Sequence, residues 1–454
     1  MNNRTKILVA ITCAMFGGSL MISAVNVALP KISQEFNIGA DTLPWITTAF
    51  FLASSVFMLP GGRLSDILGA RRMFTFGFII LVAASIVSAF SVSALMLILS
   101  RAFQGIGVGL SNAAAAVVII STYPPRETGK ALGIYLAAVY GGLTIGPLVG
   151  GVLTQYLGWR SIFFVNVPLG LVTLILLWQL RKVSEKAAGG KFDTIGALVS
   201  GLAICLTIYG LTQLPSQYGI LFAAGGLACL AGFIWWEKRA TSPLLNLKIF
   251  NNNRTFVFSN LAAFINYSAT FALSLVISLY LQYIKGFSPQ SAGLILAVLT
   301  LIETSCTPIA GYLSDRVNLR NLTTTGMIFS TAGLVLLYFI DSETSIVYII
   351  TALVMTGIGL GFFVTPNTTA IMKSVPSSSA GIASASLSIM RQVGGMIGLA
   401  IITVVLSVLI GQAEITLEYY PNLLKGIKFA LGIFAVLSFI GIFASYARNS
   451  KQKI

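Results

Sequence analysis

Runs of about 20 apolar residues, the length a helix needs to cross the hydrocarbon core of a bilayer, recur along the whole chain with short polar breaks between them. Hydrophobicity and the positions of glycine, proline and charge divide the 454 residues into fourteen such runs. They fall at 7–29, 43–62, 73–90, 94–120, 130–154, 162–180, 194–213, 217–236, 255–282, 290–313, 323–340, 345–372, 381–409 and 424–446. Only Leu214-Pro215-Ser216-Gln217 joins the seventh to the eighth. The pattern predicts an all-α integral membrane protein with fourteen transmembrane helices.

A second regularity organises those helices. Gly62-Arg63-Leu64-Ser65-Asp66 returns 249 residues later as Gly311-Tyr312-Leu313-Ser314-Asp315. Gly105, Gly107 and Gly109 return as Gly357, Gly359 and Gly361, and Gly142 and Gly146 as Gly394 and Gly398, each 252 residues on. Three aligned pairs point to a duplicated bundle, and parallel repeats are one way that secondary transporters build a central site with two exits. The seventh and eighth runs lie between the copies. The expected architecture is two six-helix bundles in pseudo-twofold arrangement, at 1–185 and 241–454, with a two-helix insert and linker at 186–240.

Composition agrees with a membrane protein: 56% of residues are hydrophobic, only 9% are charged, and the mean hydropathy is +0.90. The net charge of +15 raises the question of a nucleic-acid partner, but the cations sit in short clusters between apolar runs. Assigned to alternate sides of the fourteen-span scheme they divide 21 to 5, with both basic termini on the richer side. The positive-inside rule then puts both termini in the cytoplasm, and the charge reflects topology with no nucleic acid implied. The apolar run at the N-terminus extends to Leu29 with no clear cleavage site and reads as a retained first span. Cys13, Cys205, Cys229 and Cys306 are scattered through apolar stretches, which predicts buried free thiols and no metal site. No histidine is present, so histidine-based triads, metal sites and proton relays are excluded, and no motif calls for a cofactor.

Two cations and one acid fall well inside spans: Arg101, Arg391 and Glu303. A charge at a helix centre costs roughly 2.5–3.5 kcal/mol on insertion scales, so each is a candidate for a task, either as an interhelical anchor or in the mechanism. Glu303 and Arg101 are the candidates for proton coupling. Polar side chains within the spans, Asn26, Gln104, Asn112, Tyr140, Asn260, Asn266, Arg391 and Gln392, together with Met21, are candidates for a substrate cavity. The repeated loop motif supplies a candidate gate: Gly62, Asp66, Gly69, Arg71 and Arg72, with Gly311, Asp315 and Arg316. Gly62 would allow a tight exit from its span, and Asp66 would face a helix N-terminus. Gly142, Gly146, Gly150 and Gly151 would let helices approach closely, and Pro147 would favour a bend. The aromatics of the ninth span, including Phe256, Tyr267, Phe271, Tyr280 and Tyr283, read as lipid or interface contacts.

These residues resemble the major facilitator superfamily, and within it the fourteen-span drug:proton antiporters, over nearly the whole chain. The segment from Gly62 to Arg72 is similar to the superfamily loop signature, with Ile67 where a basic residue is usual. Arg101-Ala102-Phe103-Gln104-Gly105-Ile106-Gly107 resembles the fourth-span motif whose arginine is implicated in proton handling. The segment from Gly142 to Gly151 resembles the fifth-span antiporter motif. Asn26-Val27-Ala28-Leu29-Pro30, the stretch from Trp159 to Gly170, and Arg391-Gln392-Val393-Gly394-Gly395 resemble stretches of the fourteen-span branch. One departure stands out: Met21 occupies the place of a first-span aspartate found in many members of that branch.

The resemblance implies a secondary transporter that exports small amphipathic or lipophilic compounds across the cytoplasmic membrane in exchange for protons. Its partners would be a small-molecule substrate, protons and the lipid bilayer, and it would work as a monomer. A metabolite symporter or importer of the same fold is the alternative. A membrane-embedded enzyme would need clustered acids or a nucleophile with a base, and one intramembrane acid without histidine offers neither.

Overall fold

The computed structural model describes residues 3–179, 192–240, 244, 247–251, 253–376 and 380–448. Among them there are helices and turns and no strands. The helices are α1 Asn3–Phe36, α2 Trp45–Leu68, α3 Ala70–Ala89, α4 Ala94–Thr122, α5 Pro125–Tyr156, α6 Ser161–Gln179, α7 Thr194–Thr212 and α8 Gln217–Glu237. Then follow α9 Arg254–Thr270, α10 Leu273–Leu279, α11 Pro289–Leu313, α12 Leu319–Tyr338, α13 Ile346–Lys373, α14 Ala380–Leu409 and α15 Tyr420–Tyr446. α9 and α10 are one span, Arg254–Ile284, interrupted at Phe271 and Ala272 and closed by a π turn at Tyr280–Ile284. Among the described residues, thirteen segments are long and apolar enough to cross a membrane. The remaining expected span is α12, whose first turns carry Arg320, Asn321 and three threonines. Several cations used for the orientation, Arg181, Lys182, Lys186, Lys191, Lys451 and Lys453, lie outside the described residues.

Several helices start where the sequence supplies caps. Ser93, Asn253, Ser288 and Ser345 each accept a hydrogen bond from the amide three residues on, opening α4, α9, α11 and α13. Pro289 follows Ser288 at the first helical position, where its missing N–H costs nothing.

Two compact units emerge. One comprises Met1–Asn37, Trp45–Gly210 and Gln217–Leu245; the other comprises Ile38–Pro44, Leu211–Ser216 and Asn246–Ile454. In the first, α1 packs on α5, α2 on α4, and α3 on α4. In the second, α9 packs on α14, α11 on α13, and α12 on α13. The sequence repeat therefore reappears as a packing repeat.

Its physical basis is a set of glycine seams. At Gly105 and Gly109 a side chain would run into the carbonyl oxygens of Phe50 and Ser54 on α2; at Gly357 and Gly361 it would meet those of Leu299 and Glu303 on α11. Gly77 and Gly107 lie backbone to backbone between α3 and α4, as Gly326 and Gly359 do between α12 and α13. Gly142, Gly146 and Gly150 take α5 against the backbone of α1, and Gly394 and Gly398 take α14 against that of α9. Small residues let helices come close enough for dispersion and weak Cα–H···O contacts to hold them where water-driven association is absent. α7 and α8 meet through the same device, Gly210 against Ala223 and Gly226 against Thr207.

Four expectations change. α2 does not leave its path at Gly62; it continues to Leu68, and Gly69 at φ +99° makes the turn, a conformation that suits glycine. Asp66 therefore sits inside the last turn of α2, exposed, with its carboxylate 3.8 Å from Arg63 one turn back, and the cap position of α3 is taken by Gly69 with no side-chain bond. The four cysteines are free but half-buried. Phe256, Tyr280 and Tyr283 are buried inside the bundle; the Tyr280 hydroxyl donates to the Asp341 carbonyl at 2.6 Å.

Candidate functional site

In the first unit, a buried polar network gathers around Arg101 on α4. The side chain is wholly enclosed: Nε donates to the Ile46 carbonyl of α2 at 3.1 Å, Nη1 to Gln104 Oε1 at 2.6 Å, and the guanidinium lies 4.3 Å from the centre of the Phe50 ring. Nη2 has no hydrogen-bond partner. Gln104, one turn on, carries the network to α3 by donating from Nε2 to Ser88 Oγ at 2.9 Å and Ser85 Oγ at 3.3 Å. The Ser88 and Ser100 hydroxyls are 2.7 Å apart.

Met21 on α1 completes the arrangement through its sulfur, which accepts from Asn166 Nδ2 of α6 at 3.3 Å and lies 3.9 Å from Ser85 Oγ. A thioether is a weak acceptor and carries no charge. Two acids of this unit are engaged elsewhere: Glu35 with Arg160 at 2.6 Å and Asp66 with Arg63 at 3.8 Å. The charge on Arg101 is thus met by a carbonyl, an amide oxygen and a ring face. Asn26 is also buried and accepts from Thr47 at 3.2 Å.

In the second unit, Glu303 stands on the face of α11 that meets α13, and its carbonyl backs onto Gly361. Its side chain is half-buried, and the positive charge of Arg391 on α14 acts on it. The Arg391 guanidinium also lies 5.0 Å from the Tyr267 ring of α9. The two charged residues found within spans of this half therefore share one neighbourhood. Elsewhere in this unit Asn260 accepts from Ser386 at 3.1 Å and donates to the Phe256 carbonyl at 2.9 Å. Asn266 donates to the Met327 sulfur at 3.0 Å, repeating the amide-to-thioether contact of the first unit.

The other candidates divide by burial. Met21, Asn26, Gln104, Asn260 and Asn266 are enclosed and tie helices together, whereas Asn112, Tyr140, Arg391 and Gln392 remain half-buried. Of the loop residues, Asp315 pairs with Lys373 at 3.3 Å and Arg316 stacks on Tyr312 at 4.1 Å. Arg71 is half-buried and Arg72 exposed. Pro147 lies within the continuous helix α5, with Gly151 buried nearby. Sequence reasoning missed Asn166, Ser85 and Ser88, although polar side chains three residues apart in an apolar run were a usable signal. It also missed the clamp of Glu35 by Trp159 Nε1 at 2.7 Å and by Arg160, whose Nη2 donates to the Ser91 carbonyl at 2.8 Å. Among the described residues no group of three or more metal-ligating side chains occurs.

A polytopic helical membrane protein built from two repeated units, each holding charged residues within its spans, is the class these observations define. The model of the Major Facilitator Superfamily matches residues 10–399, and the chain belongs to this superfamily of transporters. It is 31% identical over 404 residues to the riboflavin transporter RibZ of Clostridioides difficile (strain 630), covering 88% of each chain. It is 29% identical to the multidrug resistance protein Stp of Mycobacterium tuberculosis (strain CDC 1551 / Oshkosh), covering 94% of this chain and 79% of that protein. The tetracenomycin C resistance and export protein of Streptomyces glaucescens is also 29% identical, with 89% and 76% covered. Among solved structures, a bacterial homologue of the human lysosomal transporter Spinster, inward-facing and unoccupied, superposes with a TM-score of 0.72 at 17% identity over 98% of both chains. The peptide transporter POT in complex with sulfate gives 0.71 at 14% identity, covering 96% and 94%. Likeness at that identity speaks for the fold.

Proposed function

We propose that this transporter exports small amphipathic or lipophilic compounds across the cytoplasmic membrane in exchange for protons, with Glu303 as the proton carrier. The observation that carries the reading is the neighbourhood of Glu303: a half-buried carboxylate within a span, under the influence of a single arginine on another helix. Protonation removes the charge of Glu303 and with it the attraction that Arg391 exerts, so one proton changes the coupling between α11 and α14. Relatives named for multidrug resistance and for export support the direction of transport. Arg101, with no carboxylate on its guanidinium, is a fixed charge of the first unit that helps set where a proton or substrate dwells. Both termini are cytoplasmic on this reading, the insert helices are α7 and α8, and one chain is the working unit.

One proton crossing about 150 mV releases roughly 3.5 kcal/mol. At about 1.4 kcal/mol per tenfold, that sustains a gradient of about a few hundredfold for a neutral substrate. The test is transport into proteoliposomes with and without an imposed pH gradient, for wild type and Glu303→Gln. The variant is expected to fold and bind substrate but to lose pH-driven accumulation. Concentrative, gradient-driven transport by Glu303→Gln would move the coupling site elsewhere.

A second reading rests on the riboflavin transporter relative, of which the chain spans 88%. On that reading the cargo is a flavin-like metabolite. Riboflavin uptake measured in the same vesicles, with and without a pH gradient, separates the two.

A further inference from the structure

Three arginines gather at one end of the second unit, where α9 and α12 begin and α15 ends. Arg448 lies two residues beyond the end of α15 and is 3% exposed, yet its Nε and Nη1 have no hydrogen-bond partner. Only Nη2 is engaged, donating to Ser445 Oγ at 3.3 Å. Ser445 in turn links α15 to α12 through Thr323 at 3.1 Å and Thr324 at 3.2 Å. One turn before Thr323, Arg320 lays its guanidinium 3.5 Å from the centre of the Tyr446 ring, and its buried Nε also lacks a partner. Arg254, in the first turn of α9, donates from Nε to the Ala447 carbonyl at 3.0 Å.

Capping of α15 accounts for part of this, because cations favour helix C-termini. It does not account for three guanidinium nitrogens that are buried and unpaired on two neighbouring arginines. None of the three arginines takes part in the ion pairs formed among the described residues. Asp315, the acid closest to Arg320 in sequence, is paired with Lys373. A buried charged donor left unpaired is costly, so these nitrogens favour an acceptor, and none is found among the described residues.

We infer that this end of the unit is a binding site for a phosphate group, filled in the membrane by the headgroup of an anionic phospholipid. Guanidinium forks match phosphate oxygens in geometry and charge, and the first-turn amides of α9 and α12 favour an anion there. The setting supplies the rest of a lipid. Phe439, Phe443 and Tyr446 on α15 are exposed, a stripe of rings against which acyl chains lie while the headgroup meets the arginines. Phe439 and Phe443 contact edge to face at 5.3 Å, so the stripe is continuous.

The experiment uses the full chain, purified in detergent and stripped of lipid. Native mass spectrometry is used to follow titration with dioleoylphosphatidylglycerol, with dioleoylphosphatidylcholine, and with inorganic phosphate. The expected result is one saturable phosphatidylglycerol, held at least tenfold more tightly than phosphatidylcholine. Arg448→Gln and Arg320→Gln should each lose that preference. Arg239→Gln, which removes an arginine stacked 4.0 Å from Trp235 at the end of α8, should keep it. Helicity and elution volume report the fold of each variant; if Arg448→Gln does not fold, Arg320→Gln carries the comparison alone. Equal affinity for the two lipids, or an unchanged preference in the arginine variants, overturns the site. Displacement of phosphatidylglycerol by millimolar phosphate with equal saturation would keep the anion site but overturn its assignment to lipid.

Discussion

Gln104 is the residue on which the buried charge of the first unit depends, and replacing it by leucine isolates that dependence. Gln104→Leu keeps side-chain volume but deletes the 2.6 Å acceptor of Arg101 Nη1 and the donor to Ser88 and Ser85. Nη2 already lacks a partner, so the guanidinium would retain one carbonyl and the Phe50 ring. A buried donor left unpaired costs about 1–3 kcal/mol, and more when it is charged, as the guanidinium is. Gln104→Leu is therefore expected to destabilise by about 2–4 kcal/mol. Gln104→Glu offers the same oxygen with a charge opposite to that of Arg101, while the serine hydroxyls can turn to donate; it should melt at or above wild type. The double variant Arg101→Met with Gln104→Leu removes the need together with its answer. It should recover at least about 1 kcal/mol relative to the sum of the single changes, since apolar replacement of a whole buried polar pair is often neutral. Melting in a single detergent, followed by intrinsic fluorescence, gives the ranking. If the two single losses simply add in the double variant, Arg101 is not a charge sustained by Gln104 and the reasoning fails.

Gly107→Ala and Gly359→Ala place a methyl against the backbone of the neighbouring helix, and each should cost about 1–3 kcal/mol, whereas Gly18→Ala, with open space around its Cα, should cost far less. Equal melting of the three would remove the seams as a source of stability. Asp341 lies outside the spans, and its carboxyl is held below the ordinary 3.8 chiefly by the Thr344 hydroxyl, then by the Glu343 amide. A depressed carboxyl contributes stability that is present above its unfolded value and lost as pH falls through the folded one, so Thr344→Val should blunt the loss of melting temperature below about pH 4. A cysteine at Ser216 in a background without native cysteines should react with impermeant reagent from outside the cell, and one at Lys238 only from inside; the reverse pattern would invert the proposed topology.

The spans were legible because a bilayer demands unbroken apolar length, and each of the fourteen runs falls on a helix, the ninth on the interrupted pair α9 and α10. Their ends were not: α1 extends from Asn3 to Phe36, beyond the 7–29 expected, because polar residues such as Lys31 and Gln34 prolong a helix without prolonging its apolar run. The repeat was visible in glycines since close backbone approach tolerates little else. Glu303 announced itself as an acid in an apolar run, but its tie to Arg391 joins helices far apart in sequence and no local pattern encodes it. Met21 read as the loss of a carboxylate, whereas it is the acceptor for Asn166, because a thioether in an apolar segment gives no sign of polar use. Arg448 and Arg320 read only as loop charges, since burial of a cation just past a span is invisible in composition.

The two amide-to-thioether contacts give each unit its own internal oxidation clock. Met21 and Met327 are both 0% exposed, and each sulfur is held by an asparagine of a neighbouring helix. Conversion to the sulfoxide adds an oxygen with no room to occupy, so it proceeds only while the surrounding helices have parted. Under a steady dose of peroxide, the rate at which each methionine gains sixteen mass units records how often its unit opens. Peptide mass spectrometry reads the two rates separately in one sample, with no label introduced and no residue changed.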